Sequence, residues 1–168
     1  TENALIDLHF LGIHNVLALR GDTPKNEKYF VAEADGHQYA SGLVQQIMDM
    51  NKGIYLDNEL EHTFPTNFSI GVAAYPEKHI ECPNFETDLH HLKQKVNAGA
   101  DYIVTQMFFD NSKYFRFVDS CRKVGINVPI IPGLKPISTK NQVNTLPQTF
   151  NIDIPQQLVL EIEKCKDN

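Results

Sequence analysis

Long hydrophobic runs are missing from this chain. No apolar stretch approaches the roughly 18 residues a membrane helix requires, so no membrane partner is expected. The opening TENALIDLHF has neither a basic n-region nor an apolar h-region, so no export signal is read there. Cysteine is scarce: Cys82, Cys121 and Cys165 lie far apart with no CxxC. That count gives no disulfide framework and no zinc site, and it suits free thiols in a reducing, cytoplasmic compartment. Positive charge is also in deficit, 15 basic against 21 acidic residues for a net charge of −6. The balance argues against nucleic acid as a partner. The dinucleotide pattern GxGxxG, the phosphate-loop pattern GxxxxGK(S/T), the nucleophile elbow GxSxG and the zinc pattern HExxH are all absent. No metal is expected: His79 has no ligand partner at useful spacing, and the adjacent His90 and His91 point apart on a helix.

What remains is an ordinary apolar content of 42% and a length of 168 residues, read as a single domain over 1–168. The stretch 68–110 organises it. Phe68 to Ala74 and Tyr102 to Gln106 are short apolar runs that read as strands. Between them Leu89, Leu92 and Val96 mark one face of a helix that stops at Gly99. The spacing predicts a first helix over 2–11 ending at Gly12 and a strand over 16–19. A surface loop is expected over 23–38, then a helix over 39–50 with Leu43, Ile47 and Met50 on its stripe, and an irregular insertion over 53–67. Asn111 or Ser112 is the expected cap of a helix carrying Tyr114, Phe117, Val118 and Cys121. A fourth strand is expected over 128–131, broken by Pro132-Gly133. Thr139 with Gln142 has the form of a capping box, and a last helix is expected to start near Pro155. Alternating β and α implies an α/β fold with a parallel sheet. Both an open doubly wound sheet and part of a (β/α)8 TIM barrel fit, and a whole barrel usually needs about 250 residues.

In such folds chemistry gathers where strands end. After the first strand comes Arg20-Gly21-Asp22, either a ligand-facing turn with both signs of charge or a plain turn with an internal ion pair. After the second comes Tyr75-Pro76-Glu77, where Tyr75 is either a ligand-facing phenol or a core tyrosine at a proline turn. Asp88, His91 and Lys95 share one helix face, as a nucleotide-holding ridge with Lys95 near phosphate or as a solvated face. Gln106, read as the lone polar residue of its run, can pair with a heterocycle through one donor and one acceptor. Phe108 or Phe109 is expected to be simple packing.

Five segments in series, LALRGD (17–22), YAS (39–41), VAAYPEKH (72–79), DLHHLKQKVNAGADYIVTQMFFD (88–110) and VPIIPGLKPIS (128–138), resemble the methylenetetrahydrofolate reductase family. The resemblance implies a (β/α)8 barrel with non-covalent FAD as cofactor. The implied reaction takes hydride from NADH or NADPH and reduces 5,10-methylenetetrahydrofolate to 5-methyltetrahydrofolate by a ping-pong sequence, within one-carbon metabolism and methionine biosynthesis. It implies that Arg20, Gly21, Asp22 and Ala40 lie against the flavin, and that Tyr75, His79, Asp88, His91, Gln94 and Lys95 hold it and its nucleotide tail. Asp22, Gln106 and Gln142 would bind folate, with Asp22 and Gln106 catalytic. Leu146 falls where many members stack an aromatic ring on folate. A homo-oligomer, dimer or tetramer, is implied as well.

The matched segments correspond to the middle of the family's barrel, about half to two-thirds of it. The strand carrying the family's general-acid glutamate has no counterpart here, so these residues alone are expected to be incomplete for turnover. Two other classes stay open. One is a folded fragment that binds a nucleotide or partner without catalysis; the other is a Schiff-base aldolase using Lys95 or Lys135.

Overall fold

The structure is a computed structural model that describes all residues except 24–26, 28, 58 and 166–168. Parts of the expected loops at 23–38 and 53–67 therefore lie outside the described residues. The elements run α1 (Glu2–Phe10), β1 (Asn15–Ala18), α2 (Ala40–Met50), β2 (Ser69–Ala74), α3 (Phe85–Asn97), β3 (Tyr102–Met107), α4 (Asn111–Lys123), β4 (Ile130–Gly133), α5 (Gln142–Phe150) and α6 (Gln156–Lys164). Strand order in the sheet is β1-β2-β3-β4. β1 and β2 pair in parallel, Asn15 opposite Ser69 and Ala18 opposite Val72. The fold is α/β, as the alternating pattern requires. The chain packs as two units, Thr1–Ala73 with Lys93–Ile103, and Ala74–Leu92 with Val104–Asn168.

In the first unit, Val44, Ile47 and Met50 of α2 and Ile70 and Val72 of β2 are buried. Burial on α2 centres on Val44, and Leu43 is only half-buried. Gly71 is dictated by contact: a Cβ there would stand 2.4 Å from Cε2 of the Tyr102 ring. The same tyrosine's hydroxyl donates to Val16 O at 3.4 Å. Asp101 brackets β2 from the side, donating its N–H to Ile70 O and accepting Ile70 N–H on Oδ2 at 2.7 Å. The irregular insertion is tied off by Asn51. Its Oδ1 accepts from Thr66 Oγ1 at 2.7 Å and Phe68 N at 2.8 Å, and its Nδ2 donates to Phe68 O at 2.8 Å.

In the second unit, Phe117, Cys121 and Ile126 are buried, and Phe108 stacks on Tyr114 at 4.9 Å. Phe108 is thus the packing phenylalanine of its pair. The cap of α4 is Asp110, one residue before the expected Asn111 or Ser112; its Oδ1 accepts from Ser112 N at 2.8 Å. A carboxylate is the stronger acceptor and also meets the positive end of the helix dipole. The fourth strand lies two residues later than expected and runs through Pro132-Gly133 instead of breaking there. β4 is last in the strand order, where a residue lacking an N–H is tolerated. Gly133 belongs in the strand because Thr105 O would sit 2.0 Å from a Cβ at that position. Its N–H donates to Thr105 Oγ1 at 3.0 Å. Thr105 is buried, so Gln106 is not the lone polar residue of β3. Of the expected capping box, the returning half forms: Gln142 Oε1 accepts from Ser138 N at 2.7 Å and Thr139 N at 3.3 Å, and α5 starts at Gln142 itself. Pro155 is the N-cap of α6, one position earlier than a first helical residue.

Candidate functional site

The first unit carries Arg20, Gly21, Asp22, Ala40, Gln94 and Lys95. β1 ends at Ala18, and the turn that follows reaches Gly21 with φ +86°, a backbone conformation that favours glycine. Among the described residues, no heavy atom lies within 4 Å of where a Cβ on Gly21 would stand. Arg20 Nε donates to Gly21 O at 3.3 Å, and its guanidinium carbon sits 4.5 Å from the centre of the Phe30 ring, a cation–π contact. Asp22 is exposed, and Ala40 opens α2 half-buried. Gln94 is exposed on α3. Lys95, on the same helix, sends Nζ to Ala73 O at 2.5 Å, anchoring the last turn of α3 to a β2 carbonyl.

The second unit carries Tyr75, His79, Asp88 and His91, and Asp88 and His91 flank the Cys82 thiol. Asp88 Oδ2 accepts the His79 N–H at 2.7 Å, and Oδ1 accepts from Cys82 Sγ at 3.4 Å. Cys82 Sγ also lies 3.6 Å from His91 Nδ1. Burial first, and then the Asp88 charge and hydrogen bond, push the Cys82 thiol up to about 11. The thiol therefore stays protonated and donates. The Tyr75 and His79 rings meet edge to face at 4.6 Å. Asp88, the ridge residue of the sequence reading, is thus the holder of the 75–82 turn. Lys78 in that turn has φ +111°, and its ammonium closes the loop on His79 O at 2.9 Å and Cys82 O at 2.6 Å. A non-glycine residue in such a conformation persists only where its surroundings fix it.

Gln106 is half-buried at the end of β3, and its Oε1 accepts its neighbour's Met107 N–H at 3.0 Å. Gln142 is occupied at the start of α5 as described, and Leu146, one turn on, is buried in that helix. His90 and His91 ring centres are 6.3 Å apart, and no cluster of three or more metal-ligating groups occurs among the described residues.

Two contributors were missed by sequence reasoning. Cys82 was read only as a free thiol, though its distance of six residues from Asp88 spans the loop that Asp88 closes. The other is a charged cluster in which Lys113 Nζ donates to Glu77 Oε2 at 2.8 Å and to Asp153 Oδ2. Asp153 N also donates to Glu77 Oε2 at 3.0 Å. Separations of 36 and 40 residues leave no local signal for it. Burial works against the Lys113 ammonium, but its bonds to Asp153 and Glu77 outweigh that and raise its pKa above 10.5. The Lys113 bond holds Asp153 below the usual carboxylate value.

Comparison with known proteins identifies the family of the chain as a whole. The family model for methylenetetrahydrofolate reductase matches residues 1–168. Methylenetetrahydrofolate reductase 2 of Saccharomyces cerevisiae is 38% identical over 99% of this chain and 26% of its own length. Methylenetetrahydrofolate reductase (NADH) 1 of Arabidopsis thaliana is 38% identical over 99% of this chain and 28% of its own. A probable methylenetetrahydrofolate reductase (NADPH) of Caenorhabditis elegans is 34% identical over 93% of this chain and 21% of its own. The chain thus spans about a quarter of the length of these relatives. With the whole of its described sequence matched, the chain belongs to the methylenetetrahydrofolate reductase family.

Proposed function

We propose that this chain is the flavin- and folate-binding part of a methylenetetrahydrofolate reductase of (β/α)8-barrel type, with 1–168 as one catalytic domain. In this reading 5,10-methylenetetrahydrofolate is reduced to 5-methyltetrahydrofolate in a ping-pong sequence through FAD. Relatives named for NADH and for NADPH both align, so either is taken as hydride donor. A cytoplasmic homo-oligomer, dimer or tetramer, working in one-carbon metabolism completes the proposal.

The observation that carries it is the family match over the whole chain. By that likeness Arg20, Gln94 and Lys95 in the first unit, and His79 and His91 in the second, are each proposed as FAD contacts, being of types that donate to a diphosphate or a hydroxylated chain. Gly21, with no atom of the described residues within 4 Å of a Cβ, lets a planar ligand approach the backbone. Ala40 is small enough for the same purpose, and Tyr75 offers a ring face with a polar tip. Asp88 serves by orienting His79 through its amide.

Bound FAD supplies the two-electron relay between nicotinamide and folate. Asp22 contributes fixed negative charge, which stabilises the cationic 5-iminium form of the folate. Its exposure means that solvent screens this charge until ligands cover it. Gln106 and Gln142 hold folate through amide groups, whose Oε1 atoms serve the chain and whose Nε2 atoms are donors.

The test is a titration of the chain with FAD, followed by quenching of flavin fluorescence. The expected outcome is saturable one-to-one binding that weakens about tenfold, or roughly 1.4 kcal/mol, in Tyr75→Ala. Absence of saturable binding by the unaltered chain overturns the reading.

A further inference from the structure

Three groups the proposed flavin site does not use meet at the turn after β2: Glu77 of the turn itself, Lys113 and Asp153. Glu77 sits between Tyr75 and His79 in sequence and beside Lys78, whose φ of +111° is held against strain. The Glu77 side chain is nine-tenths buried, with 10% of its surface exposed. Oε2 takes two bonds, from Lys113 Nζ at 2.8 Å and from Asp153 N at 3.0 Å, while Lys113 is shared with the Asp153 carboxylate. Oε1 is buried with no hydrogen-bond partner among the described residues. A buried carboxylate with half its acceptors unmet is a poor source of stability; its use is to specify one conformation. Two elements distant in sequence, the first turn of α4 and the segment before α6, thus fix a single oxygen in the strained turn.

We infer that Glu77, clasped by Lys113 and the Asp153 backbone, is a positioning residue that sets the Tyr75 and His79 rings in the arrangement that receives the flavin. The inference rests on the flavin reading above. Tyr75 and His79 lie two residues either side of Glu77, and their rings are already in contact at 4.6 Å. Cys82 and Asp88 fix the far end of the turn, and the clasp fixes the near end. Lys113 is central because one ammonium neutralises both carboxylates; an apolar residue of similar length leaves Glu77 charged, buried and repelled by Asp153.

The experiment uses the full chain with Lys113→Met, Lys113→Arg and Asp153→Asn. Three quantities are followed: FAD affinity, visible circular dichroism of the bound flavin, and amide hydrogen exchange over 75–82. Lys113→Met is expected to weaken FAD about tenfold, alter the flavin dichroism and speed exchange in the turn. Lys113→Arg keeps the charge and is expected to stay within about twofold of the unaltered chain. Asp153→Asn keeps the backbone donor and tests the clasp should Lys113→Met fail to fold; it is expected to raise exchange in the turn. A purely structural role would lower the urea midpoint while leaving affinity and dichroism per folded molecule unmoved, and that result overturns the inference. If the unaltered chain takes up no FAD, the flavin reading fails by itself. Exchange over 75–82 then decides the clasp alone: faster in Lys113→Met supports it, unchanged refutes it.

Discussion

Replacing Asn51 with alanine removes one side chain and three hydrogen bonds at a stroke. Asn51 Oδ1 serves both Thr66 Oγ1 and Phe68 N, and its Nδ2 serves Phe68 O, all between 2.7 and 2.8 Å. Thr66 and Phe68 are themselves buried, so water does not easily replace the lost partner. At about 1 kcal/mol net for each bond, the loss comes to roughly 3 kcal/mol, with the stranded amide and carbonyl of Phe68 keeping the figure from falling lower. For a chain of this length that lowers Tm by about 6–12 °C. Asn51→Asp is the sharper control: it keeps both acceptor bonds and sets a carboxylate oxygen against Phe68 O. The expected order of urea midpoints is unaltered chain, then Asn51→Asp, then Asn51→Ala. A shift below about 1 kcal/mol for Asn51→Ala would refute the reasoning, because it would mean the 53–67 insertion is not held through this side chain.

Other consequences follow from equally local geometry. Gly133→Ala places a methyl against Thr105 O, a backbone atom that cannot rotate away, and is expected to destabilise more than Gly71→Ala, where the Tyr102 ring can tilt. Overpacking of this kind costs about 1–3 kcal/mol, read by chemical denaturation. Thiol labelling at pH 8 is expected to modify exposed Cys165 quickly, while Cys82 and Cys121, both pushed up to about 11 by burial first of all, react only on unfolding. Prompt labelling of three thiols in the folded chain contradicts that. The side-chain and backbone bonds from Ser112 depress Asp110, and the Lys113 bond depresses Asp153. Their contributions are therefore complete above the ordinary value of 3.8 and vanish as pH falls through the lower folded values. Lys113 is raised, so its contribution is complete below 10.5 and fades only as pH climbs past its folded value. Unfolding midpoints against pH for Lys113→Met and the unaltered chain should differ most between these limits. Asp22→Asn is expected to slow folate reduction about a hundredfold in any assembly that turns over, with the nicotinamide step less affected. Equal rates in the folate step would remove Asp22 from its proposed role.

The elements that could be read from the sequence are those set by local pattern. Strands near 16, 68 and 102 lie within one residue of β1, β2 and β3, because apolar runs bounded by polar residues leave little freedom. Helices stopping near Gly12 and Gly99 do so because each glycine has positive φ. Misreadings arose where a contact from elsewhere decided the outcome. Pro132-Gly133 looks like a strand breaker, but the closeness of Thr105 O requires glycine inside β4. The cap of α4 moved to Asp110 because the residue before the polar pair was the better acceptor. Of the candidate site, the types of residue were legible, but not their division of labour. Asp88 looks like a ligand residue on a helix face, and its bonds to the His79 amide and the Cys82 thiol were not legible there. Glu77 looks like a surface glutamate after a proline, and its partners lie 36 and 76 residues away. Such pairings have no periodicity, so only the fold reveals them.

The central claim is that these residues hold a flavin that accepts hydride from a reduced nicotinamide. An anaerobic absorption spectrum of the FAD-loaded chain at about 450 nm, taken before and after NADH or NADPH, decides it. The account predicts a resolved flavin band that bleaches on adding the nucleotide and returns with methylenetetrahydrofolate where the remaining parts of the enzyme are supplied. A chain that shows no flavin band after loading, or a band that no reduced nicotinamide bleaches in the completed enzyme, would contradict it.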